Sequence, residues 1–189
     1  AISVIKSSNA SKIVLSRKKE IDLKQFDISI LIKRLLNLYP SAFRYIWYHP
    51  QTGFWCGASP EILFQTEGAS FATMALAGTQ IIKKDTVPYW NIKELNEQKI
   101  VVDAITNSLK KLISVLRISE TYNYKAASLV HLRTDITGNL KEEKKTLSVI
   151  ASVLHPTPAV CGTPQDYAKS YILDNHGREA ALIAYGGDQ

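Results

Sequence analysis

The sequence predicts an α+β fold, antiparallel sheets with packed helices, and three observations carry that expectation. Several short runs alternate polar and apolar residues or concentrate aromatic ones, as half-buried strands do. One long run repeats apolar residues at three-or-four spacing, as a helix lying on a sheet does. The 189 residues hold no internal repeat and no low-complexity linker, so a single α+β domain is the simplest account.

Taken in order, residues 11–16 alternate and end in Arg17, which reads as a strand. Asp27 or Ser29 caps a helix carrying Ile28, Leu31, Ile32, Leu35, Leu36 and Tyr39, and Pro40 stops it. The aromatic-rich residues 43–49 read as a strand and 49–53 as a turn. Residues 53–64 and 70–75 follow as strands joined through Glu67-Gly68, which together make an antiparallel meander. A polar connection runs from Gly78-Thr79 to Pro88. Asn91 then caps a long helix with apolar positions Ile92, Leu95, Val102, Ile105, Leu109, Leu112 and Leu116. Residues 126–132 read as a strand, 142–154 as a helix, 155–164 as a Pro/Gly-rich loop and 165–174 as a further helix.

Hydrophobic residues at 46% and charged residues at 21% are those of a soluble globular protein. No run approaches the apolar length that spans a bilayer, and the first residues lack a secretory signal pattern. A cytoplasmic protein without membrane contact is expected. Cys56 and Cys161 lie in no CxxC pattern and near no His at ligand spacing, so they read as two small thiols. The net charge is +6 and the pI about 9.2, but the cations are dispersed: Arg17-Lys18-Lys19, Lys83-Lys84, Lys110-Lys111, Lys144-Lys145. A nucleic-acid binder gathers them on one element with interleaved aromatics. They read instead as solvated faces that also attract a small anion.

Some residue types in this pattern suit particular chemistry. Glu94 and Glu97, three apart on the first turns of the long helix, project from one face. Carboxylates with open neighbouring positions suit Mg²⁺, although acidic residues also favour helix N-termini through the dipole. Gly78 and Thr79 fit a tight turn whose amides face an anion, since glycine allows close approach.

Four segments are the most specific: Lys12-Ile-Val-Leu-Ser-Arg17, Gly57-Ala-Ser-Pro-Glu61, Ala75-Leu-Ala-Gly-Thr79 and Leu154-His-Pro-Thr-Pro-Ala-Val-Cys-Gly-Thr-Pro164. Lys93-Glu94-x-x-Glu97 and His131-Leu-x-Thr134 lie between the last two. In this order they resemble the chorismate-binding enzymes, a family that includes isochorismate, salicylate, anthranilate and aminodeoxychorismate synthases. The resemblance runs from about Lys12 to Asp174 and implies a partial anthranilate synthase component I-like fold, chorismate as substrate and Mg²⁺ as cofactor.

The resemblance also implies roles. Lys12 matches a base that activates water, a role that requires desolvation or a neighbouring cation because lysine is ordinarily protonated. Glu61 matches the acid that protonates the departing hydroxyl, and Phe54, Trp55, Ile62 and Leu63 can raise its pKa. Gly78 and Thr79 would hold a substrate carboxylate, and His131 would contact substrate. Ala159 and Val160 would line the ring pocket. Glu97 matches a metal ligand and Glu94 would bridge through water. Gln98 stands where many relatives have His. Lys12 together with Ala77 points to water as nucleophile, closest to an isochorismate synthase of menaquinone or siderophore type. A salicylate synthase-type enzyme and a non-catalytic remnant that binds or oligomerises are the alternatives.

Past Asp174 the resemblance fails. His176 stands where a metal-binding Glu is expected, and residues 175–189 read as a divergent tail to a partial domain spanning 1–174. The chain is therefore expected to be truncated at both ends, with impaired activity and with exposed sheet edges that invite homo-oligomers.

Overall fold

In the computed structural model, which describes residues 1–82, 86–141 and 147–185 with side chains as far as Asn175, fourteen elements follow one another. They are α1 (Ile2–Lys6), β1 (Lys12–Ile13), α2 (Ile28–Leu38), β2 (Phe43–His49), β3 (Gly53–Ser59), β4 (Gln65–Glu67), β5 (Ser70–Ile81), α3 (Ile92–Leu109), β6 (Ile113–Ile118), β7 (Tyr122–Ala126), β8 (Leu129–Leu140), α4 (Leu147–Leu154), β9 (Gly162–Thr163) and α5 (Gln165–Tyr185). The pairs Lys83-Lys84 and Lys144-Lys145, the expected helix start at Glu142 and the last four residues lie outside the described residues.

Alternation builds the main sheet. Along β8, Val130, Leu132, Thr134, Ile136 and Leu140 are buried, while His131, Arg133 and Asp135 turn to the opposite face. β5 pairs antiparallel with β8 over its whole length and carries β4 on its far side. Two strands share the other edge of β8: β7 pairs residues 129–133 and β6 pairs residues 136–140. Helix α3 lies on the buried face, where Val101, Ile105 and Leu109 meet Phe71, Ala75, Ala77 and Ile136, and α4 adds Ile150 and Leu154. Each of the larger side chains among them contributes about 1.5–3 kcal/mol by leaving water.

Asn91 starts α3 as expected. Its side chain accepts from the Lys93 and Glu94 amides while the Glu94 carboxylate accepts from the Asn91 amide, a reciprocal capping box. The helix ends at Leu109, earlier than the periodicity suggests. Leu112 lies in the following turn and Leu116 in β6. Asp27 caps α2, although no residue of that helix is buried.

The first expected strand is reduced to β1, which pairs with β9 and not with the main sheet. β2 and β3 form a two-stranded sheet of their own, so residues 43–75 make two hairpins and not one meander. Among the described residues, no helix is long and apolar enough to cross a membrane. Cys56 and Cys161 are free thiols.

Gly138 on β8 sits where β6 bulges between Ile113 and Val115, and an added Cβ would run into the Val115 carbonyl. Gly138→Ala should therefore destabilise the chain by about 1–3 kcal/mol, read as a lowered urea midpoint. An unchanged midpoint would show that β6 does not approach β8 so closely.

Candidate active site

Three of the expected site residues converge from separate elements. Lys12 lies on β1 with its side chain 11% exposed, and its Nζ is 3.0 Å from Glu97 Oε1 on α3. Glu61 follows the end of β3, where Ser59 Oγ donates to the Glu61 carbonyl and accepts from the Glu61 amide. Burial raises the Glu61 carboxyl to about 7, against the opposing pull of the Lys12 cation. Lys12 thus stands within electrostatic reach of both carboxyls.

The position of Lys12 depends on a residue to which the sequence assigned no role. Its register partner across the β1–β9 pair is Thr163, and the next pair is Ile13 with Gly162. Gly162 has φ +148°, and a Cβ there would meet the Lys12 carbonyl and the Ala168 side chain. Only a residue without a side chain lets β9 pass β1 this closely.

A second group forms where β5 meets β8. The register slips between Ala77 and Thr79, leaving Gly78 as a bulge at φ +65°. Gly78 and Thr79 therefore lie within a continuous strand and not at a turn between elements. His131, opposite Thr79, places Nδ1 3.1 Å from the Gly78 carbonyl and 3.1 Å from Thr79 Oγ1. Because a carbonyl accepts and cannot donate, the contact with Gly78 is a hydrogen bond for the tautomer that carries Nδ1–H, which leaves Nε2 as an acceptor. Trp90 packs over Gly78, 3.1 Å from where a Cβ would be, and its Nε1 donates to Asn123 Oδ1.

The two groups border two clefts. A cleft of about 650 Å³ is lined by His131, Leu129, Tyr124 to Ala127, Gly57, Ala58, Pro60 and the end of α2. Another of about 760 Å³ holds Lys12, Ile13, Lys93, Asn96 and Glu97. Glu61 links them, because its neighbour Pro60 lines the first while its carboxyl feels Lys12 in the second.

The remaining expected residues are placed as follows. The Glu94 carboxylate serves the helix cap. Val160 packs against Cys161, Ala168 and Ile172 beside Ile13, and Ala159 is half-buried in the loop before β9. Gln98 is 2% exposed, and its Nε2 donates to the Ala75 carbonyl and to Thr134 Oγ1, both at 3.0 Å. The contact with Ala75 fixes the amide orientation, so Oε1 is buried without a partner among the described residues. This bond pair ties α3 to β5 and β8 one residue away from Glu97. The His176 side chain lies outside the described residues.

For a cation, the donor set is sparse. Among the described residues, no group of three or more His, Cys, Asp or Glu side chains could hold a metal ion. Glu97, 33% exposed at its side chain, offers one hard oxygen site. That suits an ion that keeps several waters, as Mg²⁺ does, and not a closed cage.

Comparison with known proteins agrees with this architecture. The profile of the family described as Chorismate binding enzyme matches residues 1–184. Isochorismate synthase DhbC of Bacillus subtilis (strain 168) is 35% identical over 126 residues, covering 62% of this chain and 32% of that protein. Isochorismate synthase EntC of Escherichia coli (strain K12) is 28% identical over 184 residues, covering 92% of this chain and 47% of that one. The crystal structure of DhbC from Bacillus anthracis superposes with a TM-score of 0.78 at 29% identity, over 92% of this chain and 50% of that chain. The chain thus spans half or less of the length of these relatives.

The raised Glu61 carboxyl has a consequence for stability. Between the ordinary value of 4.5 and about 7, the folded chain holds a proton there that the unfolded chain releases. Stability contributed by this group is complete below pH 4.5 and is lost as pH rises through 7. The loss should be on the order of 3 kcal/mol, and Glu61→Gln should abolish this component. Urea unfolding across that pH range measures it. Parallel curves for the two proteins would show that Glu61 is not desolvated.

Proposed function

The chain belongs to the chorismate binding enzymes, and on that premise we propose that it binds chorismate beside Lys12 and Glu61 and carries the acid–base groups of an isochorismate synthase-type reaction. The observation that supports this most is the Glu61 carboxyl at about 7, since a general acid works best with a pKa near the operating pH.

In this reading the hydroxyl relocates by exchange with solvent. Water adds to one ring carbon, the ring double bond shifts, and the C4 hydroxyl leaves. Glu61 gives its proton to the departing oxygen, so that it leaves as water. Lys12 accepts a proton from the incoming water. One water enters and one leaves, so the product is an isomer of the substrate. Lys12 donates to Glu97 at 3.0 Å, and an ammonium in that contact has no lone pair to offer. Lys12 must therefore shed a proton before it acts as a base, and the neutral amine can still donate to Glu97 while its lone pair faces the water. Gly78, Thr79 and His131 bind and orient a substrate carboxylate, with Ala159 and Val160 at the ring.

Mg²⁺ would be held by Glu97 with water and a substrate carboxylate, neutralising charge beside the reacting ring. Glu94 joins it through water at most, because its carboxylate serves the cap. A cytoplasmic site of action belongs to the same proposal.

Incubation with chorismate and Mg²⁺ tests the proposal. Isochorismate should form, and Glu61→Gln should slow it by about 10²–10⁴-fold while leaving chorismate binding by calorimetry intact. Lys12→Met should slow it comparably. Absence of both product and chorismate binding would overturn the reading.

A further inference from the structure

Between β5 and α3 the chain returns over the main sheet, and one residue of that return is drawn inward. Val87 is 87% exposed, Tyr89 82% and Ile92 76%, while Trp90 among them is half-buried. Its ring lies against Gly78, with two ring carbons 3.1 and 3.5 Å from where a Cβ would stand and the Leu132 side chain beside them. The indole Nε1 donates to Asn123 Oδ1 on β7 at 2.7 Å. The preceding residue is held as well, because Gln80 Nε2 on β5 donates to the Tyr89 carbonyl at 2.6 Å. The following residue is Asn91, which caps α3. Tyr89 and Trp90 are thus fastened to two strands immediately before the helix that carries Glu97 begins.

Gly78 is a position that needs such a wall. It is the bulged residue, at φ +65°, and a bulged residue stands outside the regular ladder. Glycine has a wide range of backbone conformations open to it, so its neighbours decide which one it keeps. The Trp90 ring fills the space on one side of its α-carbon.

The Gly78 carbonyl in turn acts on His131. Two oxygens lie 3.1 Å from His131 Nδ1, the Gly78 carbonyl and Thr79 Oγ1. A hydroxyl rotates to donate or to accept, so Thr79 suits either tautomer. A carbonyl accepts only, so Gly78 is the group that selects the ring with its proton on Nδ1 and the lone pair on Nε2. Any displacement of the Gly78 peptide removes that selection.

We propose that Trp90 is a positioning residue, which by packing on Gly78 holds the carbonyl that fixes the His131 tautomer. Its consequence for substrate rests on the chorismate reading, whereas the tautomer does not.

Nitrogen-15 NMR of the His131 ring in the unliganded chain tests it, at about pH 8.5, above the ordinary histidine range. In the unaltered chain Nε2 should carry the signal of a bare acceptor nitrogen. Trp90→Leu takes the ring away from Gly78 and should move both ring signals towards a mixture of tautomers. Trp90→Phe keeps a ring over Gly78 and loses only the bond to Asn123, so it should keep the His131 signals in place. Chorismate Kd should rise about tenfold in Trp90→Leu, as for the loss of one hydrogen bond to a charged group, and stay unchanged in Trp90→Phe.

A proton on Nε2 in the unaltered chain would overturn the proposal. So would a Trp90→Leu protein with a lowered urea midpoint but unmoved His131 signals, which would leave Trp90 a packing role alone. A Trp90→Phe protein as altered as Trp90→Leu would also sink it, by assigning the effect to the Asn123 bond. If Trp90→Leu does not fold, cross-relaxation between the Trp90 ring protons and the facing Gly78 α-proton in the unaltered chain decides, and its absence counts against the proposal. Failure of chorismate to bind the unaltered chain would defeat that reading, and the tautomer would still decide the role of Trp90.

Discussion

Lys12 reaches Glu97 because two very short strands pass each other with no side chain between them. β1 and β9 contribute two residues each, too few to hold by ladder bonds alone, and the approach exists because Gly162 leaves room for the Lys12 carbonyl. Ala168 of α5 packs against the same spot, so the helix that follows presses β9 onto β1. On the opposite side, Gln98 fastens α3 to the main sheet through Ala75 and Thr134. Lys12 and Glu97 are thus delivered by two separately anchored supports. Loosening either one moves the pair apart.

The same arrangement gives two carboxyls different characters. Glu97 faces an open cleft and is held as a partner of Lys12. Glu61 lies deeper, where lost hydration outweighs the cation and the neutral acid is favoured. A desolvated carboxyl of this kind is how a site keeps a proton donor near neutral pH. The His131 group adds a third character: a ring nitrogen fixed by a carbonyl and a hydroxyl, on the sheet face opposite α3.

Much of this was legible in the sequence, and the rest was not for identifiable reasons. Asn91 marked the start of α3 because a cap is written locally, one residue before the apolar periodicity begins. The end of that helix was obscured, since Leu112 and Leu116 keep helical spacing by coincidence while serving a turn and β6. β9 has no periodicity to detect. Gly162 revealed itself through a clash that depends on residues 150 positions away (Lys12 against Gly162). Glu94 was legible as a carboxylate at the right spacing, yet its oxygen serves the helix cap, and spacing alone cannot divide a side chain between two uses. Gln98 was noticed as a departure from relatives, but its role in joining three elements is visible only in the folded chain.

Titration of the Glu61 side-chain carboxyl by carbon-detected NMR, with and without chorismate, tests most directly whether Glu61 is a desolvated proton donor at a chorismate site. A midpoint near 7 is expected, with a displaced Glu61 resonance when chorismate is added. A midpoint at the ordinary value of 4.5, with no response to chorismate, would contradict it.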